Sequence, residues 1–308
     1  MTISKSHHPQ ALGGNHVEPS TLLVALLIHG GWIALTLCAA RAPLWLVAPA
    51  GGWLIAWHGS LQHETIHGHP TPWRRVNRLL GQVPLSLWLP YGRYERLHLA
   101  HHRTEHLTVP GLDPEARYLP SKSGPFARAL AGATATLAGR LVLGPPIEIA
   151  LFLASEVQAL AADEPGARRA WAAHAAGVAG IWAWLHWGCG FSLAGYLAAF
   201  VYPGASLSLL RSFAEHRADA APERRVAVVE NAPVLGLLFL NNNLHAAHHA
   251  FPGASWRQLP KLYAEHRDAL LDANGGLVYR GYAEVARRFL FRAHDTLVHP
   301  DALEEARP

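Results

Sequence analysis

The sequence has very little cysteine, and this shortage excludes some classes of protein. Only two of its 308 residues are cysteines, Cys38 and Cys189, and no C-x-x-C pair occurs. The sequence therefore contains no rubredoxin-like or iron–sulfur module built on such pairs. Both cysteines have apolar or glycine-rich neighbours, so we expect two small buried side chains rather than a disulfide.

Charged residues are also scarce, at 16% of the chain, whereas half of the chain is hydrophobic. The net charge is +4, but no stripe of Arg and Lys interleaved with aromatic residues is present, so nucleic acid is not an expected partner. The apolar residues fall in long blocks instead. This distribution favours a single membrane-embedded unit.

Four apolar blocks are candidates for helices that cross a bilayer. They cover residues 21–40, 44–62, 171–187 and 191–210. A membrane-spanning helix needs about 20 mostly apolar residues, and short breaks join these blocks in pairs. The sequence therefore predicts an all-α integral membrane protein with four transmembrane helices in two hairpins.

The remaining segments complete the predicted domain organisation. Residues 1–20 are polar and do not resemble a cleavable signal peptide, so we expect a disordered N-terminal arm. Residues 21–290 form a single membrane domain in this interpretation, and residues 291–308 form a C-terminal tail on the surface. Between the hairpins, residues 127–157 are apolar but carry charges, which favours amphipathic helices at the membrane interface.

The distribution of basic residues predicts the orientation of the four helices. Of the 26 Lys and Arg residues, 12 lie in residues 62–169 and 12 in residues 211–308, whereas Arg41 alone lies on the other side of the predicted spans. The positive-inside rule then places both termini and a histidine-rich helical cap in the cytoplasm. We expect a protein of a bacterial inner membrane.

Histidine is unusually abundant, with 21 residues, and many of these fall in three clusters. The clusters are His63 and His67; His98, His101 and His102; and His245, His248 and His249. Residues three and four apart share one face of a helix, so each cluster has the spacing of a metal site. The first cluster, with Glu64, also reads H-E-x-x-H, which is the signature of a zinc peptidase with Glu64 as the general base.

The number of histidines argues against the peptidase. Three clusters give eight imidazoles, and one four-coordinate zinc ion uses at most half of them. Two metal ions account for all eight. Imidazole ligands suit iron, copper and nickel, so the type of ligand leaves the metal open, and metal storage without catalysis is a third possibility.

With these three motifs in this order, the chain resembles the membrane fatty acid desaturase/hydroxylase superfamily. The resemblance implies a non-haem centre of two iron ions (Fe2+/Fe3+) that uses O2 and two electrons to oxidise an unactivated C–H bond of a lipid or acyl chain. It also implies a further ligand between the second and third clusters, and His216 is the matching candidate. Desaturation is our first expectation; a hydroxylase or ketolase would share every ligand.

Other polar residues have predicted roles outside the ligand set. We expect His58 to be a core histidine and His69 to be an outer or surface residue. Glu64, Glu105 and Glu215 are each adjacent to a histidine cluster and are candidates to accept hydrogen bonds from imidazole N–H groups. Asn241, Asn242 and Asn243 bond to the ligands or to backbone, or simply end a helix.

Electrons must come from another protein under this interpretation. The sequence has no His-Pro-Gly-Gly element of a haem-binding domain and no C-x-x-C, so we expect an external donor of the ferredoxin, rubredoxin or cytochrome type. Two basic patches could steer an acidic donor or could equally contact anionic lipid headgroups; they contain Arg93, Arg96 and Arg103, and Arg224 and Arg225.

Overall fold

The structure, a computed structural model, describes residues 16–301, and within them the chain is almost entirely helical. The α-helices are α1 (Pro19–Ala39), α2 (Leu44–Ile66), α3 (Arg74–Gly81), α4 (Tyr91–Arg103), α5 (Pro125–Ala133), α6 (Leu137–Val142), α7 (Gly144–Ala161), α8 (Ala167–Ala183), α9 (Leu193–Tyr196), α10 (Tyr202–Glu215), α11 (Pro233–Leu238), α12 (His245–Ala250), α13 (Leu259–Ala273) and α14 (Tyr282–Phe289). Two π-helical turns, Trp184–Gly188 and Leu197–Val201, extend α8 and join α9 to α10. The predicted N-terminal arm falls mostly on residues 1–15, which lie outside the described part.

All four apolar blocks are helical, but only two helical stretches among the described residues are long and apolar enough to cross a membrane. These are Pro19–Ala39 and Leu193–Glu215. The other two blocks correspond to α2, whose last turns carry Gln62, His63 and Glu64, and to α8, which begins with the polar Arg168 and Arg169. The all-helical fold is as predicted, whereas four membrane crossings and a cytoplasmic cap remain predictions.

The chain divides into two compact units. One contains residues 16–96 and 145–208 and is called the hairpin unit below. The other contains residues 97–144 and the described residues from 209 to 301, and is called the histidine unit.

Close helix contacts in the hairpin unit depend on two glycines of α2. A Cβ atom at Gly51 would collide with the carbonyl oxygen of Ala199, and one at Gly52 would lie 2.8 Å from the Pro203 side chain. Only glycine permits this approach of α2 to the π-helical turn and to the start of α10.

Polar side chains fix the other helices of the hairpin unit. The Trp32 indole N–H donates to the Tyr196 hydroxyl at 2.8 Å, and this hydroxyl donates to the Leu85 carbonyl at 2.6 Å. The buried Arg93 donates to Glu156 at 2.7 Å and to Glu164 at 2.8 Å. Because its guanidinium is enclosed by carboxylates, the prediction that Arg93 steers an acidic partner is wrong.

The histidine unit has a small core around α12 and α13. Val228, Ala247, Leu259 and Leu270 are among its buried residues. Strands β1 (Val228–Val229) and β2 (Val278–Tyr279) pair in parallel beside it, and the Val229 amide donates to the Asn243 carbonyl at 2.8 Å. These contacts hold the short helix α12, which has only six residues, in a fixed position.

The C-terminal segment belongs to the same unit. Leu119 and Val298 form a β-bridge, and the amide of His294 donates to the Ala135 carbonyl at 2.9 Å. Within the tail predicted for residues 291–308, the described residues end at 301, and His299 is fully buried. The buried Arg225 donates to Asp301 at 2.8 Å, so the predicted steering role of Arg225 is also wrong.

Both cysteines are free thiols. Cys38, in the last turn of α1, is exposed, so the prediction that it is buried is wrong. Cys189, in the turn that follows the first π-helical segment, is half-buried.

Candidate metal centre

The helix that carries the third histidine cluster begins after an irregular turn. Leu240 and Asn241 have positive φ angles of 48° and 57°, a backbone region in which Asn is well tolerated. Asn241 donates to the Trp256 carbonyl at 2.8 Å, and Asn243 donates to the Val229 carbonyl at 2.7 Å. The asparagine run therefore fixes the start of α12 against the rest of the histidine unit.

Four histidines of this unit converge on one point. Their ligand nitrogens lie within 4.8 Å of one another, and they are His101, His216, His245 and His249. The Nε2 atom of His245 lies 3.0 Å from Nε2 of His216 and 3.1 Å from Nε2 of His249. Residues of α4, α10–β1 and α12 thus supply a single cluster, called the four-histidine set below.

The other ring nitrogen of three of these histidines contacts an oxygen that can only accept a hydrogen bond. His101 Nδ1 lies 2.8 Å from Asp113, His216 Nδ1 lies 3.1 Å from the Arg225 carbonyl, and His245 Nδ1 lies 3.0 Å from Asn242 Oδ1. The proton of each neutral ring is therefore on Nδ1, and the Nε2 lone pairs face one another.

This arrangement fits a cation and disfavours an empty polar cluster. Two unprotonated Nε2 atoms at 3.0 Å share no proton, so they repel unless a positive ion lies between them. The Nε2 atom of His101 is buried and has no hydrogen-bond partner, which would cost about 1–3 kcal/mol if nothing bound there. The donor set is that of a transition-metal site.

Burial keeps most of these imidazoles in the form that binds metals. It lowers the pKa of His216 to about 3 and holds the pKa values of His245 and His249 well below the usual range. Burial also acts to lower the pKa of His101, but its hydrogen bond to Asp113 and the charge of Glu115 raise it overall. Neutral rings with free lone pairs require no proton release when a metal binds.

Asp113 is itself held as a carboxylate. Burial acts to raise its pKa, but the hydrogen bond and charge of His101 lower it overall, as do the backbone amides of Thr108 and Glu115, which donate to it at 2.8 Å and 2.9 Å. A charged acceptor on Nδ1 fixes the tautomer and orientation of His101 and increases its basicity as a ligand.

Three further histidines of the same unit form a second cluster. The Nε2 atom of His102 lies 3.1 Å from that of His98 and 3.0 Å from that of His248. His98 Nδ1 lies 3.0 Å from Glu115. Burial alone would raise the pKa of Glu115, but the charge of His98 and this hydrogen bond lower it, so Glu115 also accepts as a carboxylate.

His63 and His67 lie in the hairpin unit, His63 in the last turn of α2 and His67 directly after it. Both are buried, and their ring centroids are 4.7 Å apart. Gly68, with a φ angle of 93°, ends the helix directly after them. His69 is therefore off the helix; its Nδ1 lies 2.7 Å from Glu18, and it is not among the converging histidines of residues 16–301.

The sequence predicted clusters that share a centre, but it did not predict how the second and third clusters divide. His101 joins His245 and His249, whereas His98 and His102 join His248. Asp113 and Glu115 were missed as partners of the imidazoles, whereas the bond between Asn242 and His245 is one of the alternatives that the sequence left open for the asparagine run. The available signal was the acidic D-P-E sequence, residues 113–115, in the loop after the second cluster.

The three carboxylates that were predicted to accept hydrogen bonds from imidazole N–H groups differ in what they contact. Glu215 accepts from Asn242 at 3.2 Å and lies 3.6 Å from His245 Nδ1, and Glu64 lies 3.9 Å from His63 Nδ1. Glu105 is exposed and contacts no histidine among residues 16–301, so its predicted role is wrong. His58 is buried, as expected, and packs edge-on against His29 at 5.6 Å.

A helical fold with converging imidazoles defines a histidine-rich metal-binding protein. The family described as fatty acid desaturase matches residues 21–282, and the chain belongs to this family. Membership places it among the oxidoreductases of the desaturase and hydroxylase superfamily and, with the two apolar helices, indicates a membrane protein that acts on lipids. Among curated proteins the comparison finds no match.

Proposed function

We propose that the protein is an acyl-lipid desaturase that uses two iron ions and O2. The observation that carries this proposal is the convergence of Nε2 lone pairs whose Nδ1 atoms are occupied by oxygen acceptors. Membership in the fatty acid desaturase family supports the choice of reaction.

We assign nine histidines as ligands of the two ions. One ion takes the four-histidine set. The other takes His98, His102 and His248, with His63 and His67 as the contribution of the first histidine box that the family pattern implies. All-nitrogen sets with open coordination positions suit iron that activates O2.

The reaction balances with one O2, two electrons and two protons. A CH2–CH2 unit becomes CH=CH, and the oxygen leaves as two water molecules. The iron ions supply the oxidation of an unactivated C–H bond. The chain's own residues orient the ligands: Asp113, Glu115 and Asn242 hold three imidazole rings, and burial of these rings excludes bulk water.

Hydroxylation or ketone formation on the same scaffold is the second candidate function. It uses the same O2, and for the alcohol one oxygen atom is retained in the product and the other leaves as water. The nine histidines serve both reactions equally, so the position of the substrate carbon decides between them.

Metal analysis combined with product analysis tests the proposal. The detergent-purified protein should contain about two iron ions per chain, take up O2 only with a reductant, and convert saturated acyl lipids to alkenes detected by mass spectrometry. Exclusive alcohol or ketone would establish the second candidate. One zinc ion per chain would support a peptidase built on His63, Glu64 and His67, and variable loading would support storage.

We also propose that the protein crosses the bacterial inner membrane four times, in two hairpins, with both termini and the histidine boxes in the cytoplasm. The concentration of Lys and Arg in residues 62–169 and 211–308 supports this orientation. An external electron donor of the ferredoxin, rubredoxin or cytochrome type would then reach the centre from the cytoplasm.

A further inference from the structure

A pocket of about 520 Å³ opens on the surface of the histidine unit directly after the third histidine cluster. Its apolar lining comes from Phe251, Ala254 and Leu262, and its polar rim from Arg257, Gln258, Lys261 and Glu265. All of these residues belong to the segment that connects α12 to α13 or to the first turns of α13. The pocket is therefore separate from the metal-binding nitrogens but built on the same helices.

This pocket is rigidly connected to the four-histidine set. Phe251 follows His249 by two residues, and two residues span at most about 7 Å. The backbone of Trp256, beside Arg257, is bound by the side chain of Asn241 at 2.8 Å. In addition, α12 and α13 share a core that includes Ala247 and Leu259. A partner bound in the pocket would be connected to His249, a proposed metal ligand, by a short and ordered segment of the chain.

The rim carries two cations, Arg257 and Lys261, against one carboxylate, Glu265, so its net charge is positive and accessible to a partner. Arg257 is exposed, makes no ion pair within residues 16–301, and lies 5.8 Å from the centre of the Trp256 ring. The Lys261 side chain is 80% exposed, and its nearest carboxylate, Glu265, is 3.8 Å away. Arg93 and Arg225, which the sequence suggested for steering, are instead 3% and 1% exposed.

The outer face of α13 indicates a water-soluble partner. Its exposed residues include Glu265, Arg267, Asp268 and Asp272 as well as Lys261. A helix face with charges of both signs is typical of a surface in contact with water and not with the lipid interior. The same helix turns two core residues, Tyr263 and Leu270, towards the histidine unit.

We propose that this pocket, rimmed by Arg257 and Lys261, is the docking site of an acidic electron-transfer protein. The inference rests on the proposed function, which requires two electrons per O2. Two molecules of a reduced one-electron donor dock in turn; each is oxidised by one electron, which enters through the segment from Phe251 to His249. Complementary charge at the rim accelerates association and fixes the orientation of the donor.

Charge reversal at the rim tests this proposal. The variants are Arg257→Glu, Lys261→Glu and the double variant, and the matched control is Arg280→Glu, a charge reversal at another exposed position of the same unit. The probe is a plant-type [2Fe–2S] ferredoxin with its reductase and NADPH. Its Kd for the full-length, detergent-purified protein is measured by biolayer interferometry at low and high salt, and turnover is measured against ferredoxin concentration.

We expect the double variant to raise both the Kd and the KM for ferredoxin at least tenfold and to lose most of their dependence on salt. The kcat at saturating ferredoxin, the KM for the acyl substrate and turnover driven by dithionite should match the wild type. Arg280→Glu should match the wild type throughout.

Three outcomes would overturn the docking site. The first is an unchanged Kd in the double variant, or no binding of ferredoxin to the wild type. The second is a raised KM for the acyl substrate alone, which would identify an anionic lipid headgroup as the occupant. The third is an equal loss of dithionite-driven turnover, which would indicate damage to the metal centre. Failure of the proposed function is distinguishable, because the wild type would then oxidise no lipid with either reductant while the binding measurement still decides the docking site.

Discussion

An imidazole becomes a well-defined metal ligand only when its second nitrogen is also occupied. In the four-histidine set, a carboxylate, a backbone carbonyl and a side-chain amide perform this task for His101, His216 and His245. The three acceptors differ in charge, and Asp113 is the only ionised one. Removal of the Asp113 carboxylate should therefore have a large effect on metal binding, although Asp113 is not itself a proposed ligand.

We predict that Asp113→Asn lowers iron content and turnover by about 10- to 100-fold, because the amide neither fixes the His101 tautomer as strongly nor supplies negative charge. Iron per chain and O2 uptake measure the effect. Glu105→Gln is the control, since Glu105 is exposed and bonds to no histidine of the described residues 16–301. Equal iron content in Asp113→Asn and the wild type would show that the hydrogen bond is not needed for binding.

His249→Ala should abolish activity and reduce bound iron. It removes one of the four converging nitrogens, and the other three cannot complete the site. Because ligation stabilises the fold, the melting temperature in the presence of iron should fall as well. His106→Ala, at an exposed histidine, should be close to neutral. Retained activity with full metal content in His249→Ala would remove this histidine from the proposed ligand set.

At this scale the sequence predicted that histidines of the second and third clusters lie close together, but not that Asp113 and Glu115 orient them. Spacing of three and four residues on a helix identifies a shared face, and this holds for His245 and His249 on α12. The partners are less regular, because Asp113 lies in a loop and reaches His101 only after the chain reverses. No periodic pattern records such a contact.

Helix packing in the hairpin unit depends on contacts between helices, which the sequence of one helix alone does not reveal. Gly51→Ala should lower the stability of the detergent-solubilised protein by about 1–3 kcal/mol, since the new Cβ would collide with the Ala199 backbone, which cannot move aside. Gly30→Ala, in α1, is the matched control because its Cβ would meet no atom within 4 Å. Thermal unfolding of the two variants checks this, and equal melting temperatures would contradict the tight contact.

The C-terminal segment contains a buried titrating group. His294 lies between Phe213 and Phe289, at ring distances of 4.8 Å and 4.7 Å. Burial lowers its pKa to about 4; the charge of Asp295 acts to raise it, and Arg217 and Arg140 act to lower it. The folded protein therefore binds fewer protons than the unfolded chain between about pH 4 and the usual pKa near 6.5, and acid destabilises it.

We predict that His294→Phe reduces the acid sensitivity of folding. The contribution of His294 should be fully present above pH 6.5 and decline as the pH falls, with a loss of about 2 kcal/mol at pH 5. Melting temperatures measured from pH 7.5 to pH 5 should fall less steeply in the variant than in the wild type. His266→Phe, at an exposed histidine, controls for removal of one imidazole. Parallel curves for His294→Phe and the wild type would contradict the lowered pKa.

Helix positions followed well from local sequence, whereas the packing of the C-terminal segment did not. Apolar blocks predicted α1, α2 and the helices of the second hairpin because length and composition are local properties. By contrast, the bridge between Leu119 and Val298 joins segments far apart in sequence. The π-helical turns were also missed, and one of them, Leu197–Val201, packs against Gly51 of α2, a contact that local sequence does not record.

For the molecule as a whole, the number of membrane crossings determines which side each loop occupies. Two crossings, Pro19–Ala39 and Leu193–Glu215, would leave residues 40–192 on one side of the membrane. Four crossings divide this stretch, with residues 63–170 on the side opposite to the two hairpin turns. The basic residues of the stretch favour the second arrangement.

Labelling of the two native cysteines can show on which side of the membrane the two hairpin turns lie. Cys38 is exposed at the end of α1 and Cys189 lies in the turn of the second hairpin, so four crossings place both thiols outside the cytoplasm. A membrane-impermeant maleimide should then label both in intact spheroplasts. Lys122→Cys, in a chain without the native cysteines, should react only after the membrane is opened. With two crossings, position 122 and the native cysteines would react together, and no engineered tag would be needed to see the difference.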